Sequence, residues 1–500
     1  MRDVAIRLLR FAPATLFSLS GCAITRPAAG LPVTPPGAVT TAFARDAIAA
    51  DLDSVLSMIE RIHPDPYSVV SRDSVRHLRN ALIADVPDSV KRAAVWPSYA
   101  RVVSALGDGH TNIWPPREEV DQHAAAGGLV FPAAVTVSAL GELTVSGYWR
   151  SDSLVHRGDV IVGINGRTSD SLLRVMRGEI SGESTEWRTR MAADQFGTLL
   201  WYNGITPPYV VGLRRAGSTE VRTVNVEGVE PDSIRVRVRR GTVRAPTDVA
   251  SPNFTYRLLD DRTAYFDLFS LSGTIERFRA DLESALSRAI ADSARTLVID
   301  LRRNGGGDSR LGDELLSHVT TAPYRFAAAK IWKMSAEYRG YLKSRLRPPF
   351  DRIGIERIHP MGRKLFSGPD GTMVTLPEPP ESHEARAPRF DGPVCVLIGP
   401  ATFSSAVDLA DGIKTYHLAT LIGEETGGRP NGFGEVYYFR SPQTGFLVSV
   451  SSARFVRANG DMSDNRGVLP DIEVRRTAAD VGAGRDPVLD RARTCPSLSR

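Results

Sequence analysis

Ser404 and Ser405 stand between two segments of opposite character. The apolar run Val394 to Ile398, bounded by Gly399 and Pro400, is too short for a helix and reads as a buried strand. After the serines, Ala406, Leu409, Ala410 and Ile413 recur at helical spacing, so a serine sits where a strand's end meets a helix's start. Backbone N–H groups at a helix N-terminus lack intrahelical partners and can stabilise a developing oxyanion, which suits a serine nucleophile. Ser404 could equally serve as a plain N-cap, and Ser405 competes for the nucleophile's role. A serine hydroxyl needs a base. A neutral imidazole supplies one near pH 7, and a carboxylate can fix its tautomer. His110, in the turn Gly107-Asp108-Gly109-His110-Thr111, is a possible base, although a lone histidine is more often structural. Further oxyanion donors are the amides of Gly305 and Gly306, in the triple-glycine turn Gly305-Gly306-Gly307, together with that of Ser405.

The elements that must position these residues alternate in type. Leu52, Val55, Leu56, Ile59 and Ile62 mark a helix that stops at His63-Pro64-Asp65-Pro66, and further helices are expected over roughly 74–83 and 96–106. Short β-like runs dominate 127–228, around Arg157-Gly158-Asp159-Val160-Ile161-Val162-Gly163-Ile164-Asn165-Gly166, a stretch that resembles the core of a peptide-binding PDZ domain. Strands near 263–268, 296–301, 394–398 and 419–422 alternate with helices near 275–291 and 311–319 and with the Ser404 helix, which argues an α/β domain. The polar, Pro-rich stretch 324–391 reads as an irregular excursion of the kind that shapes a substrate cleft.

Several stretches resemble the S41 family of serine peptidases, its tail-specific and tricorn-core members. They are His63-Pro64-Asp65-Pro66-Tyr67, Leu106 to Thr111, Asp300 to Gly307, Thr402-Phe403-Ser404-Ser405-Ala406, Gly423-Glu424-Glu425-Thr426-Gly427-Gly428 and Gly467-Val468-Leu469-Pro470-Asp471. The resemblance implies a crotonase/ClpP-like α/β catalytic fold with a helical N-terminal domain, and polypeptide substrates. The tail-specific branch uses a lysine twenty-five residues after the serine; here that residue is Arg429, whose guanidinium cannot act as a base. The chain therefore looks like the tricorn-core branch, which implies Ser404 as nucleophile, His110 as base and, just before the Gly-Val-x-Pro-Asp motif, Asp464 as the supporting acid where glutamate is usual. The division expected is a signal peptide (1–21), a tether (22–42), a helical domain (43–115), the PDZ-like segment (127–228), the catalytic domain (253–475) and a C-terminal tail (476–500). The runner-up function is an inactive, surface-tethered binder of peptides or cell-wall material, and an esterase or amidase is a third reading.

With 500 residues and 42% hydrophobic content the chain can build two or three domains. Arg2, Arg7 and Arg10 precede a short apolar segment ending in Leu19-Ser20-Gly21-Cys22, which resembles the lipobox of bacterial lipoproteins. Cys22 is then the lipidation site, which implies membrane attachment in the bacterial cell envelope, facing the periplasm or exterior. Removing this leader's three arginines and one aspartate lowers the net charge from +5 to +3, and no basic–aromatic run suggests nucleic acid. Of the remaining cysteines, Cys395 lies in the expected buried strand and Cys495 in the tail, so no structural disulfide is expected. No cofactor or metal is expected.

Overall fold

The computed structural model describes residues 32–496 apart from 33, 36, 232–233, 235–248, 260, 347–359 and 383. Cys22, the leader and most of the tether lie outside these residues. Arg45–Ile62 forms the first long helix, with Ile48, Leu52, Val55, Ile59 and Ile62 buried along one face. It ends where expected, because Pro64 has no amide to offer and disfavours helical geometry in His63. Arg72–Ala84, capped by the Ser71 hydroxyl, and Arg92–Ser104 complete the helical region.

A seven-stranded sheet forms the C-terminal α/β region, in the spatial order Val249–Ala250, Phe254–Leu258, Thr263–Leu268, Thr296–Asp300, Val394–Ile398, Thr420–Gly423 and Ile472–Glu473. From Thr263 onward the strands are parallel, which requires a crossover between neighbours. Helices Ile275–Ala291, Ser309–Ser317 and Ser405–Thr415 accompany them, and their apolar stripes (Phe278, Leu286, Leu315, Leu409) pack over Ile299, Val396 and Leu421. On the opposite face Val298, Cys395, Leu397 and Ile422 are covered by Val488, Leu489 and Ala492 of the Pro487–Ala492 helix. The region read as a C-terminal tail thus covers one face of the sheet. It also overturns the expectation about cysteines: Cys395 and Cys495 form a disulfide, because the tail helix carries Cys495 back over the central strand.

A second sheet joins Thr372–Pro377, Ala327–Met334, Leu447–Arg457 and Phe433–Arg440, with Asn112–Ile113 paired at its far side to Ser449 and Val448. Within 324–391, read as an irregular excursion, Ala327–Met334 and Thr372–Pro377 are ordered strands of this sheet. Between the helical and catalytic regions lies an antiparallel sheet of Ala133–Val137, Leu143–Tyr148, Val160–Ile164, Tyr209–Arg214 and Val221–Val226. It carries helices Ser169–Gly178, Thr185–Asp194 and Phe196–Tyr202, the latter two not legible as helices in a stretch read as β-rich.

Candidate active site

Ser404 occupies the N-cap of the Ser405–Thr415 helix with φ 54° and ψ −134°, a backbone conformation that costs a non-glycine residue on the order of 1–3 kcal/mol. Its hydroxyl makes no capping bond. The strain is held by the turn around it. Thr402 Oγ1 donates to the Leu301 carbonyl (2.8 Å), and the Phe403 amide donates to the Asn304 carbonyl (3.0 Å), tying the serine turn to the glycine turn on the adjacent parallel strand. Gly306 is the point of closest approach. A Cβ there would lie 2.6 Å from Ser404 Cβ and 2.8 Å from the Ser405 nitrogen, and its φ is +93°. Ser405 is set apart from Ser404 by its own bond: its hydroxyl donates to the Gly307 carbonyl at 2.7 Å.

The oxyanion assignments divide. Ser405 is the first residue of the helix, so its amide has no intrahelical acceptor. Gly305 is exposed, and its amide has no acceptor among the described residues. The Gly306 amide is already committed, because buried Asn304 accepts it on Oδ1 at 2.8 Å while donating through Nδ2 to the Leu268 carbonyl. Gly306 lets the backbone close up rather than supplying a free donor.

His110 reaches the same place from the other end of the chain. The 106–111 turn is fastened to the second sheet by Asp108, whose Oδ2 accepts from the Ser451 hydroxyl (2.6 Å), the Thr111 hydroxyl (2.5 Å) and His63 Nε2 (3.1 Å). His63 Nδ1 accepts the Asp65 amide (3.0 Å), so Nε2 carries the proton that bonds Asp108. Burial opposes ionisation of Asp108, yet these donors and the neighbouring imidazoles hold its carboxyl well below the usual range. His110 itself is mostly buried, its side chain 17% exposed, and its ring lies tilted against that of Phe403, the residue before the serine, with centroids 4.7 Å apart. Burial lowers its pKa; Asp108, Glu435 and the Phe433 carbonyl oppose that shift. Among the described residues no hydrogen bond joins His110 to Ser404 Oγ. Catalytic contacts of this kind commonly tighten only with substrate bound.

Among the described residues no hydrogen bond or ion pair joins Asp464 to the His110 imidazole. Its carboxylate pairs with Arg457, a buried guanidinium that also pairs with Asp411 of the Ser405–Thr415 helix (2.8 Å). A buried cation demands local counter-charge, and Asp464 supplies part of it. The carboxylates that do face His110 are Asp108, with Oδ1 3.9 Å from Nδ1, and Glu183. Glu183 was not legible as a site residue, since it precedes a helix in the central unit and no motif marks it. Asp108 had a local signal, because a carboxylate two residues before the histidine accepts the His110 amide (2.9 Å). Asp108, His110 and Glu183 present atoms all within 4.8 Å of one another. Asp108 is already engaged by its hydrogen-bond donors. Arg429 lies near Glu183 and lends it positive potential. The remaining family-like stretches are structural: the Gly467 amide donates to Glu425, the Val468 amide to Thr426, and the Asp471 carboxylate accepts the Leu421 amide.

Residues 262–474, which contain Ser404 and both turns of its half-site, match peptidase family S41. This region is an S41 peptidase domain. The chain is 32% identical over 123 residues to a Streptomyces coelicolor protein named putative tricorn protease homolog 2, covering 24% of this chain and 10% of that protein. It is 19% identical over 387 residues to the Arabidopsis thaliana carboxyl-terminal-processing peptidase 3, chloroplastic, covering 76% of this chain and 60% of that one. It thus spans less than two thirds of the length of these curated relatives. Mature CPAF shares the fold, with a TM-score of 0.61 at 16% identity over 90% of this chain and 96% of that one. Among the described residues no helix is long and apolar enough to cross a membrane.

Proposed function

We propose that the chain is a serine peptidase acting on polypeptides, with Ser404 as nucleophile, His110 as general base and the amides of Ser405 and Gly305 as oxyanion donors. The observation that carries this reading is the state of Ser404: strained at φ 54°, at the carboxyl end of a central strand, with a hydroxyl that does not cap its helix. A serine kept only as a cap would be bonded, as Ser71, Ser184 and Ser335 are at other helices. In the reaction His110 takes the Ser404 proton as Oγ attacks the scissile carbonyl, the two amides hold the oxyanion, and the imidazolium then protonates the leaving amine. The test is labelling by a fluorophosphonate followed by peptide mapping. Ser404→Ala abolishes labelling and casein hydrolysis, whereas Ser405→Ala keeps both; the reverse pattern would exclude Ser404.

We further infer a location outside the cytoplasm, anchored by a lipid on Cys22. The arginine-flanked leader supports it, and so does the Cys395–Cys495 disulfide, since such bonds persist in oxidising compartments. Cys22→Ser should move the protein from the membrane to the soluble fraction; an intact mass with an unmodified mature N-terminus elsewhere would contradict the anchor.

A further inference from the structure

We propose that Glu183, delivered from the central sheet unit, is the positioning acid of the site: its carboxylate receives the Nδ1 proton of His110 while Nε2 takes the proton of Ser404. This rests on the Ser404–His110 reading above and adds the group that makes the imidazole a base. His110 Nδ1 and Glu183 Oε2 are both sealed from solvent without a hydrogen-bond partner among the described residues, and their residues belong to the trio that presents one ring nitrogen and two carboxylate oxygens within 4.8 Å of one another. Two buried unsatisfied polar atoms on neighbouring side chains cost more apart than joined, so a hydrogen bond between them satisfies both. Asp108 is less free to serve. Its Oδ2 is engaged by His63, Thr111 and Ser451, and its Oδ1 accepts the His110 amide and stands 3.9 Å from Nδ1. Glu183 instead uses Oε1 on the Gly109 amide (3.3 Å) and keeps Oε2 free.

The segment that carries Glu183 is fixed to Phe403, the residue before the nucleophile, and to the turn after Thr420–Gly423. Ser184 Oγ donates to the Gly427 carbonyl (2.8 Å), and Trp187 stacks on Phe403 with ring centroids 4.0 Å apart. The charges around the pair set its proton inventory. Burial and then Asp108 push Glu183 up to about 8, against the pull of its own amide, the Gly109 amide and Arg429; Arg188 also lies in its field. On the imidazole side, burial lowers His110 while Asp108 and Glu435 raise it. Burial thus favours a proton on Glu183 and an uncharged imidazole. The working state needs the carboxylate, so the pair must lose that proton, and its apparent pKa belongs to the pair as a whole. Each turnover leaves the count unchanged: Ser404's proton passes to Nε2 and then to the leaving amine, while the Nδ1 proton stays between imidazole and carboxylate.

The test is the rate of Ser404 acylation by fluorophosphonate–rhodamine from pH 5 to 10 on the full chain. The unsubstituted protein should gain rate with rising pH through about 8. Glu183→Gln should slow acylation by about a thousandfold or more and move the remaining acidic limb below about 6.5, where a lone imidazole titrates. Glu183→Asp should restore part of the rate, and Asp464→Asn should keep both rate and limb. A Glu183→Gln protein with unchanged rate and limb would overturn the assignment and leave the Ser404–His110 reading standing; absence of labelling in the folded unsubstituted protein would overturn both. Should Glu183→Gln fail to fold, nitrogen NMR of the His110 ring in Ser404→Ala protein decides the matter. A proton on Nδ1 above pH 8 supports the proposal, and one on Nε2 refutes it.

Discussion

The site has two halves that the fold builds in different ways. The nucleophile half comes from adjacent parallel strands of one sheet: the turn after Thr296–Asp300 supplies the glycines and the turn after Val394–Ile398 supplies Ser404. The imidazole half draws on three separate parts of the chain, with His110 from the helical region, Glu183 from the central unit and Ser451 from the second sheet. The first half is held by backbone geometry, and the second by hydrogen bonds to one buried carboxylate, Asp108. Damage should therefore spread differently: a change in the first half stays local, whereas a change in the second loosens the joints between regions.

Gly306→Val tests the first half and should have the largest effect on rate. The new Cβ would meet Ser404 Cβ at 2.6 Å and the Phe403 carbonyl at 2.8 Å, in a φ of +93° that valine resists. Turnover should fall by more than about a hundredfold, through displacement of Ser404 and the donor at Ser405, while the unfolding midpoint changes little. A large stability loss in place of a rate loss would show that the glycine turn supports the whole sheet and is not a local device.

Asp108→Asn probes the second half and should do both kinds of damage. The amide would turn a donor toward the Thr111 and Ser451 hydroxyls and remove the negative charge from a site designed around it. A cost of roughly 2–4 kcal/mol is expected, visible as a lower urea midpoint, together with loss of most activity as His110 is released. Undiminished stability would mean that the regions are joined by their apolar surfaces alone.

This contrast also explains what was legible in the sequence. The parallel sheet, its helices, Ser404 and the glycine turn could be read because strand, turn and helix follow one another within a few dozen residues. Gly306's committed amide could not be read, since Asn304 satisfies it only after the turn has closed. The position of Asp464 suggested the third member of a triad, but buried Arg457 claims its carboxylate, and burial of an arginine leaves no local pattern. Glu183 lies 73 residues beyond His110 in a unit of different architecture, so only tertiary packing unites them. The disulfide was missed for a similar reason. The short helices after residue 476 carry too few apolar residues to announce that they cover a sheet.

Cys495→Ser acts on neither half and should separate stability from rate. The bridge spans a sequence separation of 100 residues. Its removal should lower unfolding free energy by about 2–4 kcal/mol and leave acylation of Ser404 at 25 °C within about twofold. A comparable loss of rate would place the tail helix among the supports of the nucleophile strand.

Arg429→Gln should give the smallest effect, and it sharpens the comparison most, because Arg429 belongs by sequence to the nucleophile half and by its field to the imidazole half. Its charge favours the ionised form of Glu183, opposing burial and Asp108, which both favour the protonated form. Removing that charge must raise the apparent pKa of the Glu183–His110 pair, so the acidic limb of the rate profile moves to higher pH. For a single charge the displacement should be at most about one unit, which means up to about tenfold slower acylation at pH 7 and an unchanged rate on the alkaline plateau. A uniform loss at every pH would indicate that Arg429 contacts the substrate instead. A limb moving to lower pH would be incompatible with the sign of the interaction, and would remove Glu183 from the proton inventory of the site.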